Sequence, residues 1–278
     1  DEERSEEAQA QALVSRSEYL KGEFAHERES LVKQLETRLM AERESMAMHQ
    51  NRLNQEGFRS MASLECLINE TGADPVGTVI WLHGLGADAT DFQPLVDMFQ
   101  IHAPLRFVFP NAPKRPITIN GGMEMRAWYD IREGSPIADQ DDIDASKAQI
   151  EELIEDELEN GVAHEKITVA GFSQGGVIAL ESGLVAERKF AGIMALSTYV
   201  NNHEELTQRV ALANLDTKIF MAHGLADPMI PITRAVTSRE KLLELGYKVE
   251  WHEYSMGHQV CPQEIKDLEA WLKSIYED

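Results

Sequence analysis

The chain has 278 residues, of which 43% are hydrophobic and 27% are charged, as in a globular protein with a sizeable core. Its formal net charge of −22 argues against binding to nucleic acid or to anionic membrane surfaces, because both carry negative charge. The sequence has no run of about 20 apolar residues, so it predicts no integral membrane segment.

Cysteine usage and the first residues bear on the cellular compartment. The two cysteines, Cys66 and Cys261, are too few for a disulfide framework or a zinc site. Residues 1–12 are acidic and polar, and they lack the apolar run of a secretory signal. We therefore expect a cytoplasmic protein.

Residues 1–60 differ in composition from the rest of the chain. They contain no proline, and good helix formers dominate the stretch from Glu23 to Glu56, which also lacks glycine. Four apolar residues recur every seven positions: Val32, Leu39, Met46 and Leu53. This spacing predicts a long amphipathic helix that associates as a short coiled coil. The repeat is imperfect, so a solvated, partly disordered extension is the alternative.

Residues 61–278 show a different pattern, in which apolar strands alternate with helical stretches. The predicted strands are Val76–Leu82, Phe107–Phe109, Ile167–Phe172, Ala191–Leu196, Ile219–Ala222 and Tyr247–Tyr254. The predicted helices lie near Asp91–Gln100, Asp144–Glu159, Gln174–Glu187, Thr233–Leu245 and Gln263–Tyr276. Continuous apolar strands with intervening helices predict an α/β fold, with a doubly wound, mostly parallel sheet covered on both faces.

A Gly-x-Ser-x-Gly motif gives the strongest functional signal. Ser173 stands at the centre of Gly171-Phe172-Ser173-Gln174-Gly175, between an apolar strand and a predicted helix. This is the setting of a nucleophile elbow, in which the serine occupies a strained turn and its hydroxyl projects above the sheet. The alternative is a glycine-rich turn with a buried or capping serine.

The elbow predicts that an acid and then a histidine follow the serine in the chain. His258 lies in a Ser-Met-Gly-His turn after the last predicted strand, whereas His252 lies within that strand. Asp227 lies in the loop that follows the predicted strand Ile219–Ala222, and from there it would orient the imidazole of His258. The alternatives are a surface histidine and an Asp-Pro turn, and Asp216 and Glu253 are weaker candidates for the acid.

Acyl transfer also needs backbone N–H donors for the oxyanion. One donor is expected from Gln174, the residue after the nucleophile, and the other from a glycine-rich loop after an early strand. His83-Gly84-Leu85-Gly86 is such a loop, and we assign the second donor to Leu85. The alternative for this loop is a plain turn.

The segment from Pro110 to Ile137 has no clear periodicity, and loops of this length are usually functional. It contains Met125, and methionine suits a pocket that accepts acyl chains of several shapes. Packing in the core is the alternative for these apolar side chains. The acidic run Asp139–Glu159 lacks metal-ligand spacing, so we expect a solvated helix face and no metal site.

Several ordered motifs together resemble the carboxylesterase family that includes acyl-protein thioesterases and lysophospholipases. Besides the elbow they are His83–Asp88, Pro110–Pro113, Arg126–Asp130, Leu196–Tyr199, His223–Asp227 and Met256–His258. The resemblance implies the α/β-hydrolase fold, a triad of Ser173, Asp227 and His258, and oxyanion donors at Leu85 and Gln174. It also implies that Trp128 lies near the acyl pocket, that no cofactor is needed and that the protein is a homodimer.

We therefore predict a serine carboxylesterase that acts through an acyl-enzyme on short to medium acyl esters. An acyl-protein thioesterase or a lysophospholipase is the alternative within this class, because pocket shape cannot be read from sequence. A catalytically idle scaffold, with helix-mediated association through residues 1–60, is the alternative of another class.

Overall fold

A twisted sheet of eight strands forms the centre of the protein. The computed structural model describes residues 58–61 and 63–277, so the helix predicted within residues 1–60 lies outside the described residues. The strands are β1 Phe58–Met61, β2 Leu64–Glu70, β3 Gly77–Leu82, β4 Leu105–Pro110, β5 Lys114–Ile117, β6 Met123–Arg126, β7 Ile167–Phe172, β8 Gly192–Leu196, β9 Lys218–Gly224 and β10 Val249–Tyr254. The helices are α1 Gln93–Val96, α2 Gln140–Glu159, α3 Gln174–Val185, α4 His203–Arg209, α5 Ile232–Glu244 and α6 Pro262–Tyr276.

The strand order of the large sheet is β1-β2-β4-β3-β7-β8-β9-β10. The six strands from β4 to β10 in this order pair with one another in parallel. Strand β2 pairs antiparallel with β4, and β1 pairs antiparallel with β2, so these two strands extend one edge of the sheet. Every residue of β3, β7 and β8 is buried, as expected where a parallel sheet is covered on both faces. The predicted α/β class and mostly parallel sheet are confirmed.

The six predicted strands are all present, with ends that differ by two residues or fewer from the predicted ones. Strands β1 and β2, the β5–β6 hairpin and helix α4 were not predicted from the sequence. The hairpin strands are short, mostly exposed or half-buried, and contain Pro116, so they show neither alternation nor a buried run. Strand β1 begins at Phe58 and pairs with β2, so residues 58–60, assigned from sequence to the extension, belong to the sheet.

Helix α3 lies at the centre of the core. It packs on β7 and β8, and its residues Gln174–Leu184 are all buried. A helix that is apolar on every side requires cover on every side, so the segment that follows Ser173 is fixed by packing along its whole length. Among the described residues, no helix combines the length and the apolar character needed to cross a membrane.

The parallel arrangement brings four loops to one edge of the sheet. The carboxyl ends of β3, β7, β9 and β10 lead directly into the segments that contain His83, Ser173, Asp227 and His258. The carboxyl ends of parallel strands share an edge, and ligands bind at that edge in open α/β sheets. The topology therefore collects the predicted site residues from distant parts of the sequence.

Candidate active site

Ser173 occupies a strained turn between β7 and α3. Its φ of 53° and ψ of −119° place a non-glycine residue at positive φ, a conformation that costs about 1–3 kcal/mol. The turn is held by the Ser173 N–H, which donates to Leu196 O over 2.9 Å, and by the Thr198 hydroxyl, which donates to Ser173 O over 2.7 Å. Such strain persists because the neighbouring β8 segment fixes the backbone on both sides of the serine.

The glycines of the motif allow strand, turn and helix to approach closely. A Cβ on Gly171 would lie 2.2 Å from Gly175 O, and one on Gly175 would lie 2.5 Å from His83 O. A Cβ on Gly176 would lie 2.6 Å from the Thr198 side chain. These distances are shorter than any real contact of a Cβ atom, so each position requires glycine for steric reasons.

We expect Gly171→Ala to lower the free energy of unfolding by about 3 kcal/mol, at the upper end of the overpacking range, because backbone atoms cannot yield as a side chain can. Urea unfolding of the full chain measures this change. Gly257→Ala is the matched control, since its Cβ would meet nothing closer than 3.7 Å. Equal unfolding midpoints for the two variants would contradict the steric requirement.

The structure brings Ser173, His258 and Asp227 into one hydrogen-bonded chain. His258 Nε2 lies 2.9 Å from Ser173 Oγ, and His258 Nδ1 lies 2.7 Å from Asp227 Oδ2. A carboxylate only accepts hydrogen bonds, so Nδ1 of the neutral ring donates to Asp227 and Nε2 is left to accept the serine hydroxyl. In this tautomer the imidazole is oriented to remove the serine proton.

The Asp227 carboxylate is fully buried but well supplied with donors. Its Oδ1 accepts the backbone N–H groups of Met229 over 2.8 Å and Ile230 over 2.9 Å, while Oδ2 accepts His258. Burial raises the pKa of Asp227, but the hydrogen bonds from Ile230, His258 and Met229 outweigh burial and hold the pKa below its ordinary value. Asp227 is therefore ionised at neutral pH.

A second histidine, His223, is buried and supports this carboxylate, and it was not among the predicted site residues. His223 Nε2 lies 2.9 Å from Ile230 O and 3.4 Å from Asp227 Oδ2. A carbonyl only accepts, so Nε2 of His223 carries the proton. His223 thereby fixes the turn whose amides hold Asp227, and its position directly before Gly224 at the end of β9 was the available signal.

Two backbone amides next to the serine are free to act as donors. Neither the Leu85 nor the Gln174 N–H has an acceptor among the described residues. The loop of Leu85 lies against the elbow, since a Cβ on Gly84 would be 3.4 Å from Ser173 Cβ and 3.3 Å from the Phe172 ring. The loop that contains Leu85 thus lies beside the serine, and the oxyanion role of the two amides stays a prediction.

Trp128 lies beneath this loop and is fully buried. Its indole N–H donates to His83 O over 2.9 Å, and its backbone N–H donates to the Gln174 side-chain oxygen over 2.7 Å. Trp128 therefore supports the loop from within the core, and its predicted place near the acyl pocket stays a prediction. Met125 is half-buried on β6, with its sulfur 3.7 Å from the Cβ position of Gly86, so it lies beside the loop.

A cavity of about 270 Å³ lies next to these residues, and most of its lining comes from the segment between Pro110 and Ile137 that was expected to be functional. Tyr129 and Tyr199 line it with their hydroxyls 3.3 Å apart, and the Arg234 guanidinium lies 3.3 Å from the centre of the Tyr199 ring. The Tyr129 carbonyl accepts the Gln174 side-chain amide, which connects the cavity wall to the elbow. Arg234 lies on α5, outside the motifs named in the sequence, so no sequence signal singled it out.

The parallel sheet, the strained strand–serine–helix turn and the loops collected at one edge define the chain as an α/β hydrolase. The sequence profile of the family described as Phospholipase/Carboxylesterase matches residues 65–276, which is more than half of the chain. The chain belongs to this family, as the resemblance implied. Among the described residues, no group of three or more His, Cys, Asp or Glu residues is arranged to hold a metal ion.

Curated relatives are similar over nearly their whole length. Acyl-protein thioesterase 1 of Neurospora crassa is 38% identical over 226 residues, which cover 77% of this chain and 92% of that protein. Acyl-protein thioesterase 1 of Saccharomyces cerevisiae is 34% identical over 208 residues, which cover 70% and 91%. The chain is therefore a hydrolase of the esterase and thioesterase family.

Solved structures agree with the fold. The crystal structure of Arabidopsis thaliana SOBER1 has a TM-score of 0.67 at 29% identity, and the similarity covers 71% of this chain and 98% of that chain. Zea mays acyl-protein thioesterase 2 has a TM-score of 0.65 at 25% identity, and the similarity covers 76% and 98%.

Proposed function

We propose that this chain hydrolyses acyl thioesters of proteins through a triad in which Ser173 is the nucleophile, His258 the base and Asp227 the orienting acid. The observation that carries the proposal is the unbroken chain of hydrogen bonds, 2.9 Å and 2.7 Å long, that joins these three side chains. Distances of this length are within direct proton-transfer reach before any substrate is bound.

In the first step Ser173 Oγ attacks the acyl carbonyl while His258 Nε2 takes the serine proton. Negative charge develops on the carbonyl oxygen, and the N–H groups of Leu85 and Gln174, which have no acceptor among the described residues, stabilise it. Collapse of the intermediate breaks the bond between the acyl carbon and the leaving group, which takes the proton from His258, and the acyl-serine is formed. Ionised Asp227 stabilises the imidazolium throughout this step.

In the second step a water molecule attacks the acyl-serine, and His258 acts as its base. The acid is released and the serine recovers its proton from His258. A thiolate, whose conjugate thiol has a pKa of about 8.5, can depart before the proton from His258 reaches it, whereas an alkoxide must be protonated as it leaves. A thioester is therefore the less demanding substrate for this site.

The substrate class is supported by the relatives. The proteins that are 38% and 34% identical over most of their length are named acyl-protein thioesterase, which favours thioesters over the oxygen esters predicted from sequence. A carboxylesterase acting on short to medium acyl esters is the second candidate, supported by the family description. Homodimer assembly, association through residues 1–60 and a cytoplasmic location stay predictions.

We expect kcat/KM to be at least tenfold higher for an S-octanoyl-cysteine peptide than for the matched O-octanoyl-serine peptide. Hydrolysis of both by the full chain, together with a lysophospholipid, measures this preference. A higher value for the serine ester would establish a carboxylesterase instead.

Covalent labelling provides the control for this comparison. A fluorophosphonate should label one peptide, the one that contains Ser173, and Ser173→Ala should remain unlabelled. Absence of labelling in the unaltered protein would favour the idle scaffold.

A further inference from the structure

His83 is a buried histidine to which the mechanism assigns no proton transfer. It follows β3 directly, is 2% exposed and begins the loop that contains Leu85. Both ring nitrogens contact backbone atoms: Nδ1 lies 2.7 Å from Gly84 O, and Nε2 lies 3.0 Å from the Ala112 amide nitrogen. The ring thus connects the loop to the segment that follows β4.

These two partners determine the position of the ring proton. A backbone amide only donates, so Nε2 must accept from Ala112 and carries no proton. A carbonyl only accepts, so Nδ1 must donate to Gly84 O. Burial lowers the pKa of His83 below its ordinary value, so the ring is neutral at pH 7 and this tautomer is retained.

The carbonyl that His83 holds belongs to the same peptide unit as the Leu85 N–H. The described residues contain no cis peptide bond, so the Gly84 C=O and the Leu85 N–H point in opposite directions. A donor that fixes the carbonyl on one side therefore fixes the direction of the N–H on the other. The Ala87 N–H also reaches this carbonyl, but over 3.3 Å, which is a longer bond.

We propose that His83 is a positioning residue that aims the Leu85 N–H at the developing oxyanion. The inference rests on the proposed function, because only acyl transfer uses this donor. A rotation of the Gly84–Leu85 peptide would move the N–H away from the reacting oxygen without altering the pocket. The contribution of His83 should therefore appear in kcat and not in KM.

Two variants of His83 separate its two hydrogen bonds. In His83→Asn the amide nitrogen takes the place of Nδ1 and can still donate to Gly84 O. In His83→Gln the amide oxygen takes the place of Nε2 and can still accept from the Ala112 N–H, whereas the hydrogen bond to Gly84 O is lost. We expect kcat of His83→Asn to fall by about threefold or less, and kcat of His83→Gln by about 10- to 100-fold, below the 10²–10³-fold effect of losing a whole donor. KM should change by less than threefold in both.

His164→Gln is the matched control, because its Nδ1 also lies 2.8 Å from a backbone carbonyl, that of Lys189, but in a half-buried 3-10 turn before β7. It should leave kcat unchanged. Equal losses in the two His83 variants, or losses in KM alone, would overturn the positioning role. If Ser173→Ala abolishes hydrolysis while His83→Gln does not lower kcat, the function stands and this inference fails. If Ser173→Ala hydrolyses normally, the function itself fails and the inference fails with it.

A readout that does not depend on activity examines the ring directly. In ¹H–¹⁵N correlation spectra of the full chain, the His83 proton should reside on Nδ1, with no change between pH 6 and pH 8. A proton on Nε2 would overturn the inference even in an active enzyme, because Nδ1 could then not donate to Gly84.

Discussion

Ser173→Ala and His258→Ala are each expected to lower kcat by about 10⁵- to 10⁶-fold, and the double variant should be no slower than either single one. The reason is that Oγ and Nε2, 2.9 Å apart, act as one unit that breaks the O–H bond as the new C–O bond forms. Once one partner is lost, the other has nothing to act on. The residual rate then comes from the oxyanion donors and from substrate binding.

Single-turnover and steady-state hydrolysis of one thioester, with all three variants at the same pH, measures this non-additivity. His252→Ala is the matched control, because His252 lies on the preceding strand β10, where it contacts Glu250 instead of the serine. Its kcat should stay within about twofold of the unaltered protein. If the effects of Ser173→Ala and His258→Ala multiplied in the double variant, the two side chains would act independently and the proposed triad would be wrong.

Local sequence signals predicted the site residues because each signal coincides with a topological position. The elbow needs a strand before Ser173 and a helix after it, and the sequence has a long apolar run at both places. Parallel strands then determine which later loops reach the same edge, so Asp227 and His258 could be selected by their places after β9 and β10. Their convergence required no knowledge of the side-chain contacts.

Features that depend on pairing between distant segments could not be read in this way. The carbonyl of His83 accepts from Trp128, whose own backbone amide donates to Gln174, and no spacing in the sequence records those bonds. An aromatic residue in a long loop suits a pocket and a core equally well. The antiparallel edge was missed for a related reason, since β2 mixes buried and exposed residues without a regular period.

Asp227→Asn is expected to lower kcat by about 10⁴-fold at neutral pH with little change in KM. In the protein, Oδ1 accepts the amides of Met229 and Ile230, and Oδ2 accepts His258 Nδ1. An asparagine must keep its only oxygen towards the two backbone donors, so its NH₂ group faces His258. Nδ1 must then accept from that NH₂ group, and the ring proton moves to Nε2. A protonated Nε2 faces the Ser173 hydroxyl but cannot accept the serine proton.

The Asp227→Asn effect is thus a change of tautomer, and it has a signature beyond the rate. In ¹H–¹⁵N spectra the His258 proton should lie on Nδ1 in the unaltered protein and on Nε2 in the variant. Asp216→Asn is the matched control. Asp216 precedes β9, the strand that Asp227 follows, but its side chain is exposed and paired with Lys248. It should leave both the kcat and the tautomer unchanged. A slow Asp227→Asn protein that kept the proton on Nδ1 would show that the carboxylate acts by charge alone, and a fast one would remove Asp227 from the mechanism.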